Sequence, residues 1–160
     1  MDGRRRFVGR VLAATAGLAL LIPATPAYAA VATREAALTG GATEVPDPGD
    51  PDGSGAAQVT IDVVNQKVCF TLAVLDITLP TAAAHIHEGA AGVAGDIVVT
   101  LKAPVEVAGT GIGLSKGCVK DLSKPLLRDI RSNSGDYYIN VHTSDFPGGA
   151  LRGQLQVGAA

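Results

Sequence analysis

The run Ala56-Ala57-Gln58-Val59-Thr60-Ile61-Asp62-Val63-Val64 decides the fold class. In an extended chain Val59, Ile61 and Val63 fall on one side and Gln58, Thr60 and Asp62 on the other, the period of two that marks a half-buried strand. The next run repeats the pattern, with Val68, Phe70, Leu72 and Val74 sharing a face. Asn65-Gln66 between them marks a hairpin, although glycine in the second place would suit a tight turn better. Further strands are expected over residues 34–38, 81–87, 96–101, 137–143 and 150–157. About seven antiparallel strands at this spacing predict an all-β, Greek-key-like sandwich of two sheets. A single short helix interrupts them. Ser123 caps it, Pro125 suits its first turn, and Leu126, Leu127 and Ile130 form a one-sided apolar stripe that ends at Asn133-Ser134-Gly135, placing it over an open end of the sandwich.

Composition agrees with this reading. The chain of 160 residues has 20 Gly and 9 Pro with no repeating period, which favours a turn-rich β protein over a helical bundle. At its start, Arg4, Arg5, Arg6 and Arg10 lead into an apolar run over 11–22, then Pro23, Pro26 and Ala27-Tyr28-Ala29, the order of a secretory signal. The run is shorter than the roughly twenty residues of a membrane helix. Residues 1–29 are therefore read as a cleaved signal and 30–160 as one exported domain, by either the general or the twin-arginine route. Of the 13 basic and 15 acidic side chains, four Arg and one Asp lie before residue 30. The remainder is nine against fourteen, about minus 5, with no basic patch for nucleic acid or for an anionic membrane.

Cys69 and Cys118 both follow the signal, so an oxidising compartment makes them a disulfide. The alternative, a thiolate metal pair, ordinarily shows the close C-x-x-C spacing that these two lack. Closing so long a loop contributes about 4 kcal/mol on chain-entropy reasoning, provided the α-carbons come within roughly 4.4 to 6.8 Å. The segment over 40–55, with Glu44, Asp47, Asp50 and Asp52, reads as a solvated acidic connection. Pro48 and Pro51 break the alternate acids that a calcium loop would need.

The three histidines carry the chemistry. His85-Ile86-His87 sets two imidazoles on one face of a strand with Ile86 turned into the core, and Ile139-Asn140-Val141-His142 sets the third outward beside buried aliphatics. If Asp145-Phe146-Pro147-Gly148-Gly149 is a five-residue hairpin loop, His142 pairs with Arg152, Asn140 with Gln154 and Tyr138 with Gln156. A slip of one residue would mix polar and apolar faces and is rejected. Gly153 then permits close backbone approach. Arg152 beside His142 could draw an anion to a bound metal, or simply partner Glu88 or Asp145 on the surface.

The segments Ala36-Ala37-Leu38-Thr39-Gly40 with Glu44-Val45-Pro46, Ala84-His85-Ile86-His87-Glu88-Gly89 with Gly92 and Gly95, and Tyr138-Ile139-Asn140-Val141-His142-Thr143 with Phe146-Pro147-Gly148-Gly149-Ala150 and Arg152-Gly153-Gln154-Leu155 resemble the CHRD domain. Asp96 stands where that family usually has proline. The resemblance covers residues 33–157 and implies a secreted β-sandwich module. The chain is further expected to be a monomer whose partner is an extracellular protein or a component of the cell envelope. His85-Ile86-His87-Glu88 with the later Val141-His142 is also similar to the copper-binding histidines of copper-zinc superoxide dismutases, although this chain has no fourth bridging histidine and no zinc loop.

Two functions follow. One is a non-enzymatic binding or structural module. The alternative is a copper protein holding its ion on His85, His87 and His142, with Arg152, Glu88 and Asp145 around them, acting as a dismutase-like redox enzyme or as a copper-holding factor. The absence of thiolate or thioether nearby suits copper(II), which outranks zinc in the usual affinity order. A hydrolase built on Ser144 is disfavoured by the lack of a G-x-S-x-G elbow.

Overall fold

A computed structural model describes residues 31–158. The expected signal over 1–29 lies outside the described residues. Ten strands form a single sheet: β1 (Val31–Thr39), β2 (Ser54–Asp62), β3 (Lys67–Leu75), β4 (Ala83–Glu88), β5 (Asp96–Leu101), β6 (Val105–Glu106), β7 (Gly113–Val119), β8 (Tyr137–His142), β9 (Leu151–Gln154) and β10 (Gln156–Val157). Their order is β5-β4-β8-β9-β1-β2-β3-β7-β6, with β10 also on β1, and every pairing is antiparallel. The all-β class follows from the alternating pattern. The division into two separate sheets does not hold, because β9 and β1 join the halves through Thr39 and Arg152. One continuous sheet curls instead, so that Val59, Ile61, Val68 and Val74 from one half share a core with Ile86, Ile139, Val141 and Leu151 from the other. A sheet hydrophobic on one face must bury that face against something, and curling lets the two halves bury each other.

The β2–β3 hairpin follows the pattern most closely. Ala57, Val59, Ile61, Val68, Phe70, Leu72 and Val74 are all buried, and Asp62 pairs with Lys67 across the turn. Gln66 takes a positive φ of 52° to close it, while the Asp62 carboxylate accepts from the Asn65 backbone and side-chain nitrogens at 3.0 and 2.7 Å. The helix α1 (Lys124–Ser132) begins at Ser123, whose hydroxyl accepts from the Leu126 N–H, and buries Leu127 and Ile130. The Tyr137 hydroxyl donates to Asp129 at 2.5 Å and ties the helix to β8.

Three expectations need correction. The β8–β9 hairpin pairs Val141 with Leu151, Asn140 with Arg152, Ile139 with Gly153 and Tyr138 with Gln154, two residues from the expected register. The loop is longer than five residues because Thr143 and Phe146 form a turn of their own, in which Thr143 accepts from the Phe146 N–H through its hydroxyl. A slip of two keeps each side chain on its face, so hydrophobic pattern alone could not detect it. Gly153 does lie against backbone, since a Cβ there would stand 2.2 Å from the Ala37 oxygen. Tyr138, expected outward, is buried. The segment over 40–55 is also not a free solvated loop: Gly49 donates to Gly41, Asp50 donates to Ala150, and Glu44 is buried.

Cys69 and Cys118 face each other across β3 and β7 and form a disulfide. They are direct cross-strand partners, and their α-carbons lie 3.9 Å apart, below the expected window and below the roughly 4.5 to 5.5 Å of opposed residues in an antiparallel ladder. The bond lies on the outer face, where Cys118 is exposed, so its loss removes no core packing. We expect the Cys69→Ala/Cys118→Ala double variant to lose about 4 kcal/mol in urea unfolding. A loss below about 1 kcal/mol would show that the strand pairing alone already constrains the chain.

Candidate metal centre

Alternation in β4 sends Ala84 and Ile86 into the core and turns His85 and His87 to the opposite face. On the neighbouring β8, His142 pairs with Ala83, Asn140 with His85 and Tyr138 with His87. The third histidine therefore stands diagonally across from His85. Its Nε2 lies 3.2 Å from His85 Nδ1, and one ligand nitrogen from each of His85, His87 and His142 lies within 4.8 Å of the other two. A bulge in the β4–β5 pairing falls between Ile86 and His87, where such irregularities commonly re-aim a side chain.

Backbone carbonyls set the tautomers of two rings. His87 Nδ1 donates to the Gly95 oxygen at 2.8 Å, and His142 Nδ1 donates to the Pro147 oxygen at 3.0 Å. A carbonyl can only accept, so both Nδ1 atoms carry hydrogen and both Nε2 atoms present lone pairs. His87 Nε2 is buried without a partner. This is costly for a polar atom and is the strongest sign that something else belongs at that point. Three nitrogens at about 2.0 to 2.1 Å from one ion stand about 3.3 to 3.6 Å apart in a tetrahedral or trigonal arrangement, so closing from within 4.8 Å requires pairs to approach by up to about 1.5 Å, shared between two side chains. The residues present thus fit an imidazole-bound divalent ion.

Burial is the first cause that lowers the pKa of both β4 histidines. His85 is brought down to about 4, with His142 and His87 adding repulsion. For His87, burial outweighs the opposing hydrogen bond to Gly95, and His142 and Arg152 lower the pKa further against the attraction of Asp96. Both rings are neutral at pH 7, as metal ligands must be.

The surrounding residues are not where the sequence reading put them. Arg152 lies opposite Asn140 and does not reach Glu88 or Asp145. It is buried, with Nη2 donating to the Ala90 and Val93 carbonyls at 2.8 and 2.9 Å and to Gln154 Oε1 at 3.2 Å. Its guanidinium carbon sits 3.4 Å from the centre of the Tyr138 ring, which in turn stacks on His87 at 4.7 Å. Asp145 accepts from the Thr78 and Ser144 hydroxyls, and Glu88 is exposed opposite Tyr137. Nor is the histidine face fully open to solvent: His87, Asn140 and Arg152 are 8%, 2% and 3% exposed, while His85 and His142 are half-buried.

Sequence reasoning missed Glu44. Its Oε2 accepts from Asn140 Nδ2 at 2.9 Å and its Oε1 from the Val45 N–H at 3.2 Å. Burial, the first cause, raises its pKa against those bonds and the attraction of Arg152. Gly149, at φ 145°, makes room for it: a Cβ there would meet the Glu44 carboxylate at 2.4 Å. Among acids in a Pro- and Gly-rich run nothing in the pattern singles out this one. The only hint was that Glu44-Val45-Pro46 belongs to the segments that resemble a known family.

A pH dependence follows for the metal-free protein. The unfolded chain takes up a proton on His85 near pH 6.5, whereas the folded chain does not until about pH 4. The unfolded state binds more protons in that window, so stability falls as pH is lowered from about 6.5 towards 4. We expect His85 to titrate near pH 4 by NMR, and the urea midpoint of His85→Gln to vary less over this window than that of the parent. A His85 midpoint near 6.5 would contradict the burial described above.

The family model of the CHRD domain matches residues 34–155. No curated protein and no solved structure matches the chain. With the match spanning β1 to Leu155 and including all three histidines, the chain belongs to the CHRD domain family.

Proposed function

We propose that this CHRD domain is an exported copper(II)-binding module whose ligands are His85, His87 and His142. Membership of the family supports a binding or structural module, and the histidine cluster supplies the ligand class. The observation that carries the reading is the buried, unpartnered Nε2 of His87 beside the two other imidazoles. A three-nitrogen set without thiolate favours copper(II) over zinc by the usual order of affinities. Bound copper would supply a Lewis-acid and one-electron centre with a position left over for water or a small ligand.

The chain's own residues do the rest. Gly95 and Pro147 hold two rings in the tautomer that offers Nε2, and Tyr138 packs flat against His87 so that the ring keeps its direction. His85 Nδ1, which faces His142 Nε2, donates its hydrogen there while no ion is bound and must carry that hydrogen on Nε2 once one is. Arg152 adds a buried positive charge on the far side of Tyr138's contacts, without touching the ligand nitrogens.

Calorimetry on the exported, untagged protein should give one copper(II) per chain and weaker zinc. His142→Ala should abolish that binding while lowering the stability of the metal-free protein by about 1 to 3 kcal/mol, for the bonds its ring makes to Pro147 and accepts from His85. Copper affinity unchanged in His142→Ala would remove the proposed site.

A further inference from the structure

A second site lies on strands other than those carrying the histidines. On the outer face of the sheet, Ala37 pairs with Ala56, Ala56 with Ala73, Ala73 with Leu114 and Leu114 with Val105. At the usual strand spacing this apolar row is about 19 Å long. A solvent-facing sheet surface ordinarily carries polar side chains, as the adjacent row does with Glu35, Gln58, Thr71 and Lys116. The alanines make a low floor, and the segment over 102–107 borders it. A cavity of about 920 Å³ results, with Val105, Val107 and Leu114 still 49%, 42% and 44% exposed along it. Large aliphatic side chains grouped half-exposed around one cavity are the usual mark of a surface that receives something apolar.

The chemistry of the cavity narrows the occupant. Its floor is the face of paired strands, so β1, β2, β3 and β7 offer no free backbone ladder to an added peptide strand. Its lining contains no aromatic ring, so nothing is there to stack a base, a sugar or a polyproline segment. What remains is a flexible aliphatic chain lying along the alanines. Four charges line the cavity and they are not equivalent. Glu35 accepts from Gln58 Nε2 at 3.5 Å and Glu106 accepts from the Gly111 N–H at 3.2 Å. The ammonium groups of Lys102, beside β7, and Lys116, on it, both line the cavity and have no hydrogen bond or ion pair among the described residues. These neutral donors leave both carboxylates charged, but Lys116 stands three strands away from Glu35 in the same row and neither lysine head is neutralised by an acid, so an anion is met where Lys102 and Lys116 line the cavity.

We infer that this groove binds one long-chain carboxylate, its alkyl chain on the Ala37-Ala56-Ala73 floor and its head group at Lys102 and Lys116. The site is independent of the histidines and stands or falls separately from copper binding.

The experiment compares laurate with dodecanol, which has the same chain without the charge, in displacing a fluorescent anilinonaphthalene sulfonate from the exported chain below the micellar range. Laurate should bind one per chain, about tenfold or more tighter than dodecanol. The Lys102→Gln/Lys116→Gln variant should bring laurate down to the level of dodecanol and leave dodecanol unchanged. Ala73→Leu and Ala56→Leu fill the floor from the outer face and should each abolish both ligands while the protein still melts cooperatively. The inference is overturned if laurate displaces nothing, if the two ligands bind the unsubstituted protein equally, or if both leucine variants retain laurate. The unsubstituted comparison decides even if a variant fails to fold.

Discussion

A guanidinium sealed inside the polar side of a β-sheet is the constraint on which the candidate site depends. Arg152 cannot be neutralised and is almost wholly removed from water, so its charge must be met by fixed partners. It meets the carbonyls of Ala90 and Val93, the side chain of Gln154, the face of Tyr138 and, at longer range, the Glu44 carboxylate. Each of these contacts also orders something else. The two carbonyls anchor the loop that leads to Gly95, and Gly95 in turn orients His87 and receives support from Tyr138, whose hydroxyl accepts its N–H at 3.1 Å. Meeting one buried charge through Nη2 and the ring face thus organises the loop, the aromatic and the imidazole together, although Nη1 is buried without a partner.

The polar face is as specified as the core behind it. Ile86, Ile139, Val141 and Leu151 are fully buried on the apolar side, and directly behind them His87, Asn140 and Arg152 are nearly as enclosed. A sheet with one apolar and one polar face would ordinarily leave the second in water. Here the segment bearing Glu44 and the loop after Glu88 fold over it, and glycines at 149 and 95 let backbone and carboxylate approach where any side chain would collide. Enclosure lowers the proton affinity of His85 and His87 and so keeps their nitrogens free for a ligand at neutral pH.

The other end of the strand order has the opposite character. Around β7 the outer face is apolar and open, and its free charges are lysines. The two regions are linked through the shared sheet and its common core, with the Cys69–Cys118 bond fixing β3 to β7 at the groove end and the β9–β1 junction fixing the histidine end. The family match embraces both regions without distinguishing them.

The sequence by itself determined most of the strands, though not β6 or most of β7, the apolar faces of β2 and β3, the helix from Ser123 to Asn133, the disulfide partners and the three histidines as one set. All of these are local or nearly so: a period of two, a capping residue, a pair of cysteines. Tertiary structure alone decided three things. Hairpin register was open because an even slip leaves the apolar pattern intact, which is why Arg152 came to face Asn140 instead of His142. The joining of two expected sheets into one was open because β9 and β1 meet only through a short contact between strands far apart in sequence. The burial of Glu44 was open because it depends on Gly149, Asn140 and Arg152, about a hundred residues away, and the free energy that draws a carboxylate out of water resides in partners that no local pattern names.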